Sequence, residues 1–223
     1  MEERITSRKN PLLQQVKKLL SSGKAREEAG LFVSDGTKLL EEAVKYYPGL
    51  ETVILSDGIH AQVPENVRLV RVPEDVMASI SPMQSPQGAL FICRLPEKTA
   101  FAPRPRMLLL DGCADPYSHK VVRSSMGAVF RTPVVQTTWQ EAQAALHGAG
   151  IPVAVTALSS RASDIRRADV KTMAVVIGSE GQGVRKEILE SADAELIIPM
   201  TARCESLNAA VAAAIVMWQM TEL

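Results

Sequence analysis

The chain has 223 residues, enough for one large domain or two small ones, each with its own core. Apolar residues make up 46% and charged residues 22%, an ordinary globular composition, and 25 basic against 25 acidic side chains exclude a strong overall field for nucleic acid. Cys93, Cys113 and Cys204 are too widely spaced for a disulfide framework or a Cys-x-x-Cys site, and His60, His119 and His147 stand alone, so no metal is expected.

The N-terminus from Met1 to Pro11 is polar and has no apolar core of a signal peptide, and the longest apolar run, Ala209 to Trp218, is too short for a bilayer. A cytoplasmic protein without membrane contact is the expectation. Residues 1–26 hold seven basic side chains (Arg4, Arg8, Lys9, Lys17, Lys18, Lys24 and Arg26) against Glu2 and Glu3. Such a patch either contacts phosphates or is a solvated helix face.

In chain order, Leu12, Leu13, Val16, Leu19 and Leu20 fall near one face of a helix predicted over 11–29. A strand follows at 31–34, a helix at 37–46 stopped by Pro48-Gly49, strands at 52–56 and 67–72, a short helix at 74–80, a Pro/Ser/Gly loop at 81–88 and a strand at 89–94. This is a small layered α/β domain. Residues 96–105 carry three prolines with almost no periodicity and make the best linker, which divides the chain into domains 1–100 and 101–223. Beyond it, strands are predicted at 107–110, 133–136, 152–157, 173–177 and 194–199, with helices at 120–130, 138–147, 187–191 and 206–220. Apolar strands alternating with helices imply a mainly parallel sheet covered on both faces, which binds ligands at the carboxyl ends of its strands.

Two loops sit there. Gly178-Ser179-Glu180-Gly181-Gln182-Gly183 has three glycines in six residues, so the backbone can approach a ligand closely. Its spacing matches neither the dinucleotide fingerprint nor a P-loop, and Glu180 would repel phosphate while suiting a neutral or cationic adenosyl ligand. A tight strand–helix turn explains the glycines equally well. The second loop runs from Ile198, Pro199 and Met200 to Ser206, Leu207 and Asn208. Ser206 is placed to cap the alanine-rich helix that follows, whose small side chains suit a buried helix or a dimer interface; Asn208, a poor helix former, has no evident capping duty.

The stretches VVIGSEGQGV (175–184), IIPM (197–200) and SLNAAVAAA (206–214) resemble, in order and spacing, the second and third motifs of the SpoU branch of the SPOUT RNA methyltransferases. KVVRSSMGAVFRTPVV (120–135) resembles the segment preceding them. ITSRKNPLL (5–13), LFVSDGTKLLEEA (31–43) and SPQG (85–88) are similar to the ribosomal-protein-like RNA-binding domain many members carry. The resemblance implies methyl transfer from S-adenosyl-L-methionine to a ribose 2′-hydroxyl of RNA, ribosomal RNA in preference to transfer RNA. It also implies a homodimer and a C-terminal trefoil knot. On the family pattern, Gly178, Glu180, Gly183, Ile198, Met200 and Leu207 line the adenosyl pocket. Glu180, Ser206 and Asn208 stand at the junction of cofactor and RNA as catalytic residues, while Arg8 and Lys9 contact RNA.

The family's first motif has the form Asp-Pro-Gly-Asn followed by a helix with an Arg. Here the strand at 108–112 runs directly into CADPYS (113–118), so a helix and a strand, on the order of 25 residues by the size of such a unit, are absent. Asp115-Pro116-Tyr117-Ser118 with Arg123 is a loose echo of that motif without its Gly or Asn; Arg123 is instead expected to contact RNA or the dimer partner. Two functions remain open: an RNA 2′-O-methyltransferase, or a non-catalytic RNA-binding protein that keeps the cofactor fold as scaffold.

Overall fold

The computed structural model describes residues 2–97, 107–201 and 206–221. Among these, residues 2–97 with 107–136 form one compact unit and 137–201 with 206–221 form another. Most of the linker proposed at 96–105 lies outside the described residues. Packing nonetheless places 107–136, expected with the second domain, in the first unit.

The first unit begins with β1 (Glu2–Arg4), a strand that its charged composition hid. It pairs parallel with the later strand Arg68–Val72 and is pinned by ion pairs from Arg68 to Glu3 at 2.6 Å and from Arg71 to Glu2 at 2.5 Å. The helix predicted over 11–29 is two helices, α1 (Pro11–Ser21) and α2 (Gly23–Ala29). Ser22 leaves helical geometry (φ −135°, ψ 118°), and its hydroxyl accepts the Ala25 N–H, so it ends one helix and caps the next. Then come β2 (Leu31–Asp35), α3 (Thr37–Tyr46), β3 (Leu50–Ser56), β4 (Arg68–Val72), α4 (Glu74–Ile80) and β5 (Ala89–Arg94). The sheet order is β1-β4-β3-β5-β2, with β5 antiparallel to both β3 and β2.

Alternation along the central strands builds two cores. Ile54, Leu90 and Ile92 face α1 and α4; Val53, Leu55, Phe91 and Cys93 face α3 on the other side. The second core also takes up residues from 107–136: Tyr117, Val122 and Phe130 are buried there, with the Phe32 ring 5.0 Å from Tyr117. Arg26, 9% exposed, donates to Asp115 at 2.6 Å and to the Leu19 carbonyl, fixing the start of that segment. The helix expected at 120–130 is broken. α5 (His119–Ser124) ends where Met126 (φ 49°) and Gly127 (φ 81°) turn left-handed, and a single 3-10 turn follows at Ala128–Phe130. β6 (Met107–Leu109) and β7 (Val134–Gln136) pair in parallel with each other as a separate two-stranded sheet.

The second unit contains α6 (Trp139–Gly148), β8 (Val153–Thr156), β9 (Ser163–Asp164), β10 (Ala174–Val176), α7 (Lys186–Ser191), β11 (Ala194–Ile197) and α8 (Ala209–Met220). Thr138 and Glu141 start α6 with a reciprocal capping box. The four strands form a wholly parallel sheet ordered β10-β8-β11-β9. Ala154 and Leu196 face Ile165, Val170 and Val216, which ties α8 and the 3-10 turns to the sheet. The molecule is therefore mixed α/β; the sheets of the second half are parallel, as the alternation there implied, and the five-stranded sheet is mixed. No described helix is long and apolar enough to cross a membrane, and no group of three or more His, Cys, Asp or Glu among the described residues could hold a metal.

Candidate functional site

The carboxyl ends of β8, β10 and β11 open into a cavity of about 510 Å³. One wall is the loop after β10. The Ser179 N–H donates to the Gly183 carbonyl at 3.0 Å and the Gly183 N–H to the Ser179 carbonyl at 2.9 Å, folding the loop back on itself. Gly183 sits at φ +67°, in the left-handed region that favours glycine. Gly178 is small for a different reason: a Cβ there would lie 2.3 Å from the Gly183 carbonyl carbon and 2.5 Å from the Val184 nitrogen. The loop is thus a tight turn and a cavity wall at once.

The opposite wall is the segment before α8. Asn208, not Ser206, caps this helix: at φ −54° and ψ 136° its side-chain oxygen accepts the N–H groups of Ala210 at 3.1 Å and Val211 at 3.3 Å. Ser and Asn cap equally well, so composition alone does not choose between Ser206 and Asn208; the backbone does, because the helix starts only at Ala209. The Asn208 amide in turn donates to Glu180, and the Ala209 N–H reaches the same carboxylate oxygen at 3.3 Å. Glu180 therefore lies against the helix N-terminus, where a negative charge is stabilised. Gly178, Glu180, Gly183, Ile198, Met200, Ser206 and Leu207 all line the cavity; Asn208 closes its rim through Glu180. Thr201 is described, but Arg203, Cys204 and Glu205 of the same loop lie outside the described residues.

Sequence reasoning missed the third wall, the loop after β8. Ser159, Arg161 and Glu195 line the same cavity, with the Arg161 guanidinium 2.5 Å from the Glu195 carboxylate. No motif marks them, but the expectation of ligand binding at parallel strand ends applied to β8 as much as to β10.

The three residues expected to contact RNA are in the first unit. Arg8 pairs with Asp75 at 2.6 Å on the surface, Lys9 is exposed, and Arg123 pairs at 2.9 Å with Asp35, whose side chain is only 3% exposed. Arg4, Lys24 and Arg26 also face carboxylates, so the basic run of residues 1–26 is partly neutralised.

The site suits an adenosyl ligand in kind. Ile198, Met200 and Leu207 offer apolar surface, Gly178 and Gly183 offer bare backbone, and Glu180 and Glu195 offer negative charge to a cation. The family model "SpoU rRNA Methylase family" matches residues 97–218, and "MRM3-like substrate binding domain" matches residues 10–90. The 23S rRNA (guanosine(2553)-2′-O)-methyltransferase RlmP of Bacillus subtilis is 28% identical over 246 aligned positions, covering 98% of this chain and 99% of that protein. Among solved structures, an AdoMet-bound rRNA methyltransferase from Sinorhizobium meliloti superposes with a TM-score of 0.83 at 23% identity, covering 98% of this chain and 97% of the other. The SpoU methyltransferase AviRb of Streptomyces viridochromogenes, in complex with AdoMet, gives 0.73 at 22% identity, covering 95% and 97%. The glycine turn and the capped helix thus meet within the segment, more than half the chain, that carries the family's pattern: the protein belongs to the SpoU rRNA methylase family.

Proposed function

We propose that this protein binds S-adenosyl-L-methionine in the cavity at the strand ends and transfers its methyl group to a ribose 2′-hydroxyl of RNA, ribosomal rather than transfer RNA. The observation that carries this reading is the link between Glu180 and Asn208, which joins the two motif segments around one cavity of adenosyl character. The cofactor supplies a methyl group already activated by its sulfonium. The protein's part is to exclude water from the adenosyl portion, to hold the ribose oxygen in line and to accept the hydroxyl proton. Ser206 and Asn208, at the entry to α8, hold the ribose in this reading, and Glu180, which accepts the Asn208 amide, takes up the proton.

With this function go the family's cytoplasmic setting, homodimer and trefoil knot, with a catalytic domain over 101–223. Val211, Met217 and Trp218 are exposed on α8, an apolar surface that a second copy would cover. Arg8, Lys9 and Arg123 would contact RNA from the first unit.

A second reading, a non-catalytic RNA-binding protein on the same scaffold, is favoured by one observation. The family's first motif supplies an Asn and an Arg, and here the strand Met107–Leu109 leads to Asp115, bound to Arg26, and to Arg123, bound to Asp35. The length of the match to the Bacillus relative supports a missing segment: 98% of 223 residues is about 219, against 246 aligned positions, leaving about 27 without a counterpart. Labelled S-adenosyl-L-methionine with bulk ribosomal RNA separates the two. Incorporation into the 2′-oxygen that is lost in Asn208→Ala supports the enzyme; RNA binding without incorporation supports the scaffold.

A further inference from the structure

The cavity carries a charge arrangement outside the two motif segments. Glu195 lies within β11 with 12% of its side chain exposed, and its carboxylate accepts both the Ser159 hydroxyl and the Arg161 guanidinium. Ser159 Oγ also accepts the Arg161 backbone N–H at 3.2 Å, so the loop after β8 is clamped onto β11. The Arg161 side chain remains 80% exposed. A guanidinium has five N–H donors in a rigid fork, and the contact to Glu195 uses one of its nitrogens, Nη2. Among the described residues that line the cavity, Arg161 is the one cation.

This asymmetry matches the ligand of the proposed function. S-adenosyl-L-methionine carries two cationic groups, a sulfonium and an ammonium, and a single anionic one, the carboxylate of its amino-acid end. Among its described residues the cavity offers two carboxylates, Glu180 and Glu195, and a single guanidinium. Glu180 is committed to the Asn208 amide and the Ala209 N–H at the α8 rim. A neighbouring guanidinium and carboxylate, as in Arg161 and Glu195, complement the carboxylate and ammonium borne on one carbon. We infer that Arg161, oriented by Glu195 and Ser159, receives the cofactor's carboxylate, with Glu195 beside its ammonium. The inference rests on the reading of the cavity as the cofactor site and adds which end of the ligand each wall holds.

Titration calorimetry with two ligands tests it. S-adenosylhomocysteine keeps the amino-acid end; 5′-methylthioadenosine keeps the adenosyl group and sulfur but lacks that end. Arg161→Ala is expected to weaken S-adenosylhomocysteine binding about tenfold, the scale of a charge-assisted hydrogen bond, while methylthioadenosine binding stays within about twofold. Arg161→Lys should recover part of the loss. Because the side chain is so exposed, thermal unfolding should show both variants folded. An equal loss for the two ligands makes Arg161 a structural residue and overturns the assignment. Unchanged binding of both, with weaker RNA binding, assigns it to a phosphate and overturns it too. If the unaltered protein binds neither ligand, the cofactor reading itself fails and the Arg161 assignment falls with it.

Discussion

The Asn208 side chain serves Glu180 and the α8 helix simultaneously: its oxygen caps the N–H groups of Ala210 and Val211 while its amide donates to the carboxylate after β10. The two duties can be separated by substitution. Asn208→Asp keeps an oxygen for the cap but sets carboxylate against carboxylate, whereas Asn208→Ala loses both contacts and about 1 kcal/mol of capping energy. The expected outcome is that Asn208→Asp retains most of the thermal stability yet binds cofactor about tenfold or more weakly, through like-charge repulsion across the rim. Adding Glu180→Gln, whose amide can donate to the new carboxylate, should restore binding in part. A double-mutant cycle on cofactor affinity that shows no coupling would separate the two walls of the site.

The glycine turn gives a second, sharper contrast. At Gly178 a Cβ would meet backbone atoms at 2.3 and 2.5 Å, which cannot swing aside as a side chain could. At Gly181 nothing lies within 4 Å. Gly178→Ala should therefore cost about 1–3 kcal/mol in urea unfolding and abolish cofactor binding, because the Gly178–Gly183 turn must open. Gly181→Ala should leave both unchanged. Comparable loss in the two variants would mean that flexibility, not close approach, selects glycine here.

The same residues show what a sequence makes legible. Periodicity located α3, α4 and β5 to the residue, because their apolar positions face a core on a fixed repeat. It did not show the break at Ser22, where amphipathicity continues while the backbone turns, nor the left-handed pair Met126 and Gly127 inside an apolar stretch. β1 was hidden because Glu2 and Glu3 are held by ion pairs to Arg71 and Arg68 rather than by burial. At the site, glycine spacing pointed to Gly178 and Gly183, whose type is dictated by backbone geometry, and poor helix propensity singled out Asn208, whereas its capping role was assigned to Ser206. Arg161 and Glu195 meet through a pairing of β8 and β11 distant in sequence, and only the sheet topology reveals it.

Part of the protein's acid sensitivity should come from Asp193. Its carboxylate accepts the Val153 N–H at 2.7 Å and lies 3.0 Å from His147 Nε2, joining the entry of β8 to α6. The backbone hydrogen bond from Val153 chiefly, and His147 after it, hold its pKa below the ordinary 3.8. The unfolded chain thus takes up this proton at higher pH than the folded one. The contribution to stability is complete above 3.8 and disappears as the pH falls through the lower, folded value. Asp193→Asn should be less stable at neutral pH and show a shallower loss of stability in acid, read from urea midpoints at a series of pH values. Parallel pH curves for the two proteins would remove Asp193 from the acid transition.

RNA affinity should depend on how far Arg8 is neutralised. Its guanidinium lies 2.6 Å from Asp75, but both side chains are more than half exposed, at 58% and 64%, and such surface pairs contribute little to stability. The pair can therefore open when a phosphate competes, and Lys9 beside it is exposed. Arg8→Glu with Lys9→Glu should weaken binding to ribosomal RNA and reduce the slope of log affinity against log salt by about 1.5, the counterion release of two phosphate contacts. Asp75→Asn should act in the opposite sense, freeing Arg8 and raising affinity at low salt, with no change in unfolding midpoint. Both effects must shrink together as salt rises, since each works through the same screened charge. A salt slope unaltered in the double variant would return Arg8 and Lys9 to an ordinary solvated surface.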